Sequence, residues 1–267
     1  MNQKRADVFA AGEKYEPYVG RWSRLVAKEF VDWLALPKGL SWLDVGCGTG
    51  ALSQTILERA APKEVFGIDP SAGFIEYARA HVPGALFAIG EAQALELEPA
   101  SVDAAVCGLV LNFVPEPDHA LLKMARAVRP GGQVAAYVWD YAGKMELMRY
   151  FWDAAVALDP AAAELDEGRR FPLCQPAALE ALFTGPNLRW IEVHPIEVPT
   201  RFRDFDDYWS PFLGGQGPAP AYAMSLSEKR RNALRDRLRE RLPAGADGAI
   251  ELVARAWAAR GLKRAGK

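Results

Sequence analysis

The stretch Leu43-Asp44-Val45-Gly46-Cys47-Gly48-Thr49-Gly50 constrains this chain more than any other. The apolar run Ser41-Trp42-Leu43 leads into an acid and then into Gly46, Gly48 and Gly50. Behind them, Ala51 to Leu57 has the character of a helix. That order predicts a strand, a tight turn and a helix N-terminus. Glycine has no Cβ and tolerates positive φ, so such a turn lets a ligand approach bare backbone amides. A nucleotide-like cofactor is the expected occupant. Cys47 reads as a residue small enough for the turn, since no base or metal stands near it in sequence to activate a thiol.

Two ligand classes compete for the loop. Gly46, Gly48 and Ala51 satisfy the G-x-G-x-x-G/A pattern of dinucleotide binders. Asp44 argues the other way. A carboxylate at the strand's end would face a pyrophosphate with no cation beside it, whereas it suits a ligand with positive charge. S-adenosylmethionine carries both an ammonium and a sulfonium. No Tyr-x-x-x-Lys pair of the short-chain dehydrogenase kind occurs, which counts against an NAD-dependent oxidoreductase.

Four later segments fall in order behind the loop. They are Gly67-Ile68-Asp69-Pro70-Ser71, Gly90-Glu91-Ala92-Gln93-Ala94-Leu95, Val102 to Val114, and Arg129-Pro130-Gly131-Gly132. As an ordered set they resemble the motifs of the class I (Rossmann-like) S-adenosylmethionine-dependent methyltransferases. The likeness covers roughly residues 15 to 140 and is greatest to small-molecule enzymes of the quinone- and biotin-pathway type. It implies S-adenosylmethionine as cofactor and S-adenosylhomocysteine as product. Carried over residue by residue, the cofactor site is Asp44, Gly46, Cys47, Gly48, Gly50, Asp69, Pro70, Glu91, Ala92, Gly108 and Leu109. Asp69 would hold the ribose, and Glu91 would flank the adenine. Plainer readings stand beside these: Asp44 as a helix cap, Asp69 as a turn residue, Glu91 as a solvated loop acid.

The alternation of apolar segments predicts an α/β fold: a doubly wound, mostly parallel seven-stranded sheet with an antiparallel last strand and a helical cap. Trp22, Leu25, Val26, Phe30 and Leu34 recur at helical spacing and predict a leading helix. Residues 1–140 form the expected core, with the N-terminal helix included, and 171–200 continue it. Residues 141–170 and 201–245 are expected as cap insertions, and 246–267 as the last strand and tail. Strand six is expected in two pieces, Leu188 to Val193 and Pro195 to Val198, and the last strand over Ile250 to Ala258. Ligands on such sheets bind at the carboxyl ends of the strands. Tyr18, Trp22, Asn112, Trp139, Tyr141, Tyr208 and Trp209 are therefore candidates for the acceptor pocket, with Asp140, Tyr150 and Trp152 beside them. The competing reading is that the insertion aromatics pack a small core of their own. No residue stands out as a catalytic base.

Composition narrows the partners. The formal charge of −2 gives no global case for nucleic acid or an anionic membrane. The basic run from Lys229 to Arg241 is diluted by Glu228, Asp236 and Glu240 and reads as an exposed helix. Asn112-Phe113-Val114-Pro115 lacks the Asp/Asn-Pro-Pro-aromatic signature of base-amino methyltransferases, which argues further against DNA. His81, His119 and His194 are far apart, and no zinc spacing is present, so no metal is expected. Three scattered cysteines and a polar start at Met1 predict a reducing, cytoplasmic setting. The expected function is methyl transfer from S-adenosylmethionine to a small organic molecule. A cofactor-binding sensor or scaffold without transferase activity is the alternative from another class.

Overall fold

The computed structural model describes residues 19–214 and 217–264. Seven strands form one sheet: β1 (Ser41–Val45), β2 (Glu64–Asp69), β3 (Leu86–Ile89), β4 (Val102–Gly108), β5 (Val128–Trp139), β6 (Leu188–Phe202) and β7 (Ile250–Lys263). Their order is β3-β2-β1-β4-β5-β7-β6. The pairings among β1 to β5 are parallel, and β7 lies antiparallel to β5. This is the doubly wound arrangement that the alternation predicts. β1 sits near the middle, and all five of its residues are buried, as expected for a parallel strand covered on both faces.

Helices alternate with the first strands: α1 (Arg21–Leu34), α2 (Ala51–Arg59), α3 (Ala72–His81) and α4 (Pro117–Ala127). In α1 the apolar stripe falls as the spacing predicts. Trp22, Val26, Phe30 and Leu34 are buried, and Leu25 is half-buried. Phe30 lies 4.6 Å from the ring of Tyr137 on β5. The turn Arg129-Pro130-Gly131-Gly132 falls inside β5 rather than before it. The register jumps from Val102 opposite Val128 to Ala104 opposite Gln133, so these residues loop out as an irregular bulge.

Two strands run longer than their patterns suggest. β6 continues through Pro195 and Pro199 to Phe202, and β7 continues past Ala258 to Lys263. The reason for β6 is its place at the sheet's edge. A proline lacks the N–H that a central strand must donate, but an edge strand has one side that donates to nothing. The two prolines are an even number of residues apart, so their missing donors face the same side.

The chain divides into two compact units. Among the described residues the larger comprises 23–139, 173–196 and 256–264; the smaller comprises 19–22, 140–172, 197–214 and 217–255. Residues 19–22 thus group with the smaller unit. Trp22 explains this: its ring meets Phe202 edge to face at 5.4 Å.

The smaller unit has its own aromatic core. It holds α5 (Glu146–Leu158), α6 (Glu167–Arg170), α8 (Phe205–Trp209), α9 (Pro218–Ser225) and α10 (Glu228–Arg241), while α7 (Pro176–Thr184) belongs to the larger unit. Phe151 stacks on Phe212 at 4.5 Å, and Tyr208 meets Phe202 at 5.3 Å and Phe212 at 5.4 Å. Several of its buried polar groups are paired. Trp152 Nε1 donates to Glu167, the Tyr208 hydroxyl donates to Leu147 O, and Arg149 forks onto Asp166 at 2.8 and 2.7 Å. Burial pushes the Glu167 carboxyl up to about 7.

Arg149→Ala is expected to strand Asp166, whose side chain is only 9% exposed. Breaking a buried pair from one side costs about 3–5 kcal/mol. Chemical denaturation should show a loss of that order. A loss below about 1 kcal/mol would mean that the pair is an incidental contact.

Candidate functional site

Asp44 stands on β1 opposite Gly67 of β2 and Val106 of β4. It is 1% exposed. One carboxylate oxygen accepts a hydrogen bond from Ser53 Oγ on α2, at 2.7 Å. The other, Oδ1, is buried and accepts none. Burial raises the carboxyl from 3.8 to about 7; the Ser53 bond pulls it down, and nearby Asp69 adds to the rise. The backbone N–H of Ser53, in the first turn of α2, pulls the carboxyl down as well. Gly50 occupies the cap position of α2.

The glycine turn is tied to the end of β2 by its backbone. Gly46 N and Cys47 N both donate to Ile68 O, at 2.8 and 2.9 Å. The backbone explains the glycines. Gly46 has φ +74°, and a Cβ there would come 2.6 Å from Val110 Cγ1. Gly48 has φ +53°, yet a Cβ there would meet nothing within 4 Å. Packing within the protein dictates the first glycine. Backbone conformation alone restricts the second, which borders open space.

Asp69 ends β2 at 7% exposure. Its oxygens accept from Gly48 N at 3.0 Å and Ser71 N at 2.9 Å. Burial raises its carboxyl, and the two backbone bonds hold part of that rise back. Asp69 is thus more than a turn residue, because it joins the end of β2 to the glycine loop. Pro70 after it is exposed. Gly90 N donates to Asp69 O at 3.1 Å, which draws in the end of β3. Glu91 is exposed and precedes the short 3₁₀ turn Ala92–Ala94. Within that turn Gln93 has a buried Oε1 without a partner.

Beyond β4, Gly108 gives way to Leu109, which adopts φ +62° and donates its N–H to Tyr137 O at 2.8 Å. A left-handed leucine is uncommon and marks a position held by its surroundings. Asn112 lies in the turn that follows, with both amide atoms buried and unpartnered. Trp139, at the end of β5, is 3% exposed. The larger unit therefore brings together Asp44, the glycine loop and Asp69, with Glu91 and Ala92 following β3 and Leu109 and Asn112 following β4.

The remaining candidates lie elsewhere. Tyr18 falls outside the described residues. Trp22, Tyr141, Tyr208 and Trp209 are buried residues of the smaller unit, as is Trp152, and Tyr150 is half-buried there. Asp140 is committed structurally: it accepts from Gly143 N, Lys144 N and Arg255 Nε. Burial pushes the thiols of Cys47 and Cys107 upward, away from nucleophilic chemistry. Among the described residues no cluster of three or more His, Cys, Asp or Glu could hold a metal. No described helix is long and apolar enough to cross a membrane.

Sequence reasoning misses Ser53 and Gln93. Ser53 recurs in no motif, and Gln93 is one polar residue in a polar loop. Only coordinates show that one holds Asp44 and that the other has a spare acceptor. The leftover atoms here are mostly acceptors, Asp44 Oδ1, Gln93 Oε1 and Asn112 Oδ1, with Asn112 Nδ2 the donor, and one acceptor belongs to an acid. They fit a ligand that brings donors and positive charge, and they disfavour a pyrophosphate. A methyltransferase domain family matches residues 43–136, from the glycine loop into β5.

Over that segment the chain is similar to several methyltransferases. An uncharacterized methyltransferase of Mycobacterium tuberculosis is 33% identical over 112 residues, covering 42% of this chain and 44% of that protein. A malonyl-[acyl-carrier protein] O-methyltransferase of Methylococcus capsulatus is 31% identical over 121 residues, 44% of each chain. A demethylmenaquinone methyltransferase of Renibacterium salmoninarum is 35% identical over 114 residues, 43% of this chain and 46% of that one. The match spans less than half the length of each of these curated relatives. In fold, the chain is similar to phosphoethanolamine N-methyltransferase 2 of Haemonchus contortus, solved with phosphomonomethylethanolamine and S-adenosylhomocysteine. The TM-score is 0.55 at 16% identity, covering 92% of this chain and 53% of that one.

The Asp44 carboxyl gives ligand binding at the glycine loop a pH dependence. The fold favours the neutral acid, so ionisation penalises the ligand-free protein increasingly as pH rises from 3.8 towards 7. A cationic ligand favours the carboxylate and must displace the proton below 7. Affinity for S-adenosylmethionine is therefore expected to rise with pH, by up to about tenfold per unit below 7, and then to level off. Calorimetric titration between pH 5.5 and 7.5 checks this, and Asp44→Asn should flatten the curve. A flat wild-type curve would show that Asp44 stays in one protonation state throughout.

The two glycines should separate packing from ligand space. Gly46→Ala is expected to destabilise the fold by about 1–3 kcal/mol through the Val110 clash, on top of backbone strain. Gly48→Val should strain the turn less than it harms ligand binding, since its side chain would enter open space. Thermal unfolding and cofactor titration on both variants decide it. Equal stability losses with unchanged affinity for Gly48→Val would refute the distinction.

Proposed function

We propose that this protein transfers the methyl group of S-adenosylmethionine to a small organic acceptor. The observation that carries the reading is the buried, half-satisfied carboxyl of Asp44 at the glycine turn. Asp44 and the loop Gly46, Cys47, Gly48 and Gly50 take the charged end of the cofactor. Asp69 and Pro70 take the ribose, while Glu91, Ala92, Gly108 and Leu109 flank the adenine and the sulfur side. When bound, the cofactor supplies a methyl carbon already activated by its sulfonium.

The chain's own residues have two tasks: to align the acceptor and to exclude water. Alignment can contribute on the order of 7–11 kcal/mol. In the displacement the acceptor–carbon bond forms as the carbon–sulfur bond breaks, leaving a neutral thioether, and any acceptor proton passes to water. Asn112 has an amide free to orient a polar acceptor group. Tyr141, Tyr208 and Trp209 act through the packing of the smaller unit, since the Tyr208 hydroxyl is already bonded to Leu147 O. Residues 141–170 and 201–245 serve acceptor selection, in keeping with a cap. The basic helix is self-compensated, with Arg235 on Asp236, Arg230 near Asp159 and Arg239 near Asp206. That favours a small acceptor over nucleic acid. Buried free thiols at Cys47, Cys107 and Cys174 suit a reducing cytoplasm.

Incubation with labelled S-adenosylmethionine and a panel of organic acids, phenols and amines is expected to yield S-adenosylhomocysteine together with a product heavier by CH₂. Tight cofactor binding with no product from any class would instead favour a sensor or scaffold. Tight NAD binding without response to the sulfonium would overturn the assignment.

A further inference from the structure

The smaller unit holds a guanidinium that is locked in place yet has one edge unused. Arg21 opens α1. Its Nη1 donates to Asp207 Oδ1 at 3.1 Å. Its guanidinium carbon lies 4.3 Å from the ring centre of Trp22 and 4.8 Å from that of Phe202. The other two nitrogens, Nε and Nη2, are buried and have no hydrogen-bond partner. These two N–H groups point the same way along one edge of the guanidinium, at the spacing of the two oxygens of a carboxylate. The chain uses that edge for carboxylates elsewhere. Arg59 gives Nε and Nη2 to the two oxygens of Asp32, and Arg260 gives the same pair to Glu192. At Arg21 the fork is as well fixed, but Asp207 occupies a different nitrogen.

Two further buried polar atoms of the same unit stand unpaired. Trp22 Nε1 is buried without a partner. Thr200 is fully buried, lies two residues before Phe202 on the same buried face of β6, and has an unpartnered Oγ1. All of these atoms donate, or can donate in the case of the threonine. Leaving one buried donor unpaired costs about 1–3 kcal/mol, and more for a charged group. A purely structural arginine tying α1 to α8 explains the Asp207 bond and the ring contacts. It leaves the Nε/Nη2 edge without a reason.

We propose that Arg21, with Trp22, forms a carboxylate-binding site that takes an organic acid with an apolar or aromatic body. The site does not depend on the methyl-transfer reading. A carboxylate suits it better than a phosphate does. Asp207 already brings a negative charge to the guanidinium, so a planar monoanion is repelled less than a dianion.

The test reads binding, not turnover. The full chain, saturated with S-adenosylhomocysteine, is titrated by ligand-observed NMR with benzoate against benzamide, glutarate against glutaramide, and inorganic phosphate. At least one acid is expected to bind ten or more times tighter than its amide and tighter than phosphate. Arg21→Gln should abolish the preference and Arg21→Lys should reduce it, both with unchanged S-adenosylhomocysteine affinity. The wild-type comparison of acid with amide holds even if a variant fails to fold. Equal binding of acids and amides, no binding of any acid, tighter binding of phosphate, or a preference that survives Arg21→Gln would each overturn the proposal. Carboxylate binding without any methyl transfer would keep the site and remove the methyl-transfer reading. Methyl transfer without a carboxylate preference would do the reverse.

Discussion

A carboxyl group held at 1% exposure near the middle of a parallel sheet is the constraint on which the rest of the site depends. Burying an ionised acid is costly, and a buried acid with one oxygen unpaired stays near neutral until something compensates it. Ser53 satisfies only half of Asp44. A strand that packed for stability alone would carry an apolar residue there. A ligand with donors or positive charge beside Oδ1 would restore the balance.

The sheet order turns that single acid into a site. β1 lies between β2 and β4, so Asp44 stands opposite Gly67 on one side and Val106 on the other. Because these strands are parallel, their carboxyl ends emerge along the same edge of the sheet. The chain winds one way through β2 and β3 and the other way through β4 and β5, which opens a crevice at that edge. Backbone bonds then close the gaps between strand ends. Ile68 O receives Gly46 and Cys47, Asp69 receives Gly48, and Gly90 donates back to Asp69 O. A loop tied at so many points is rigid before any ligand arrives, which lowers the entropy lost on binding.

The smaller unit follows a different logic. Its core is aromatic, built on Phe151, Trp152, Tyr208 and Phe212, and its buried polar groups are mostly paired. Segments far apart in sequence, 140–172 and 197–255, combine to make it. Against that background of satisfied groups, the spare edge of Arg21 stands out.

The sequence by itself determined the fold class, the sheet's alternation and the identity of the glycine-loop acids. Those features are local: strand and helix periods, a turn that needs glycine, and an acid at a fixed offset from it. Asp44, Gly46 and Gly48 were legible because their geometry is set by neighbours a few residues away. Only the tertiary structure decided that Ser53 holds Asp44, that Gln93 has a spare acceptor, that β6 runs through Pro195 as an edge strand, and that Trp22 belongs with Phe202. The Arg21–Asp207 bond joins residues 186 positions apart. No periodicity or spacing encodes a pairing of that kind, because whether a buried polar atom is satisfied depends on which distant chain segment packs beside it.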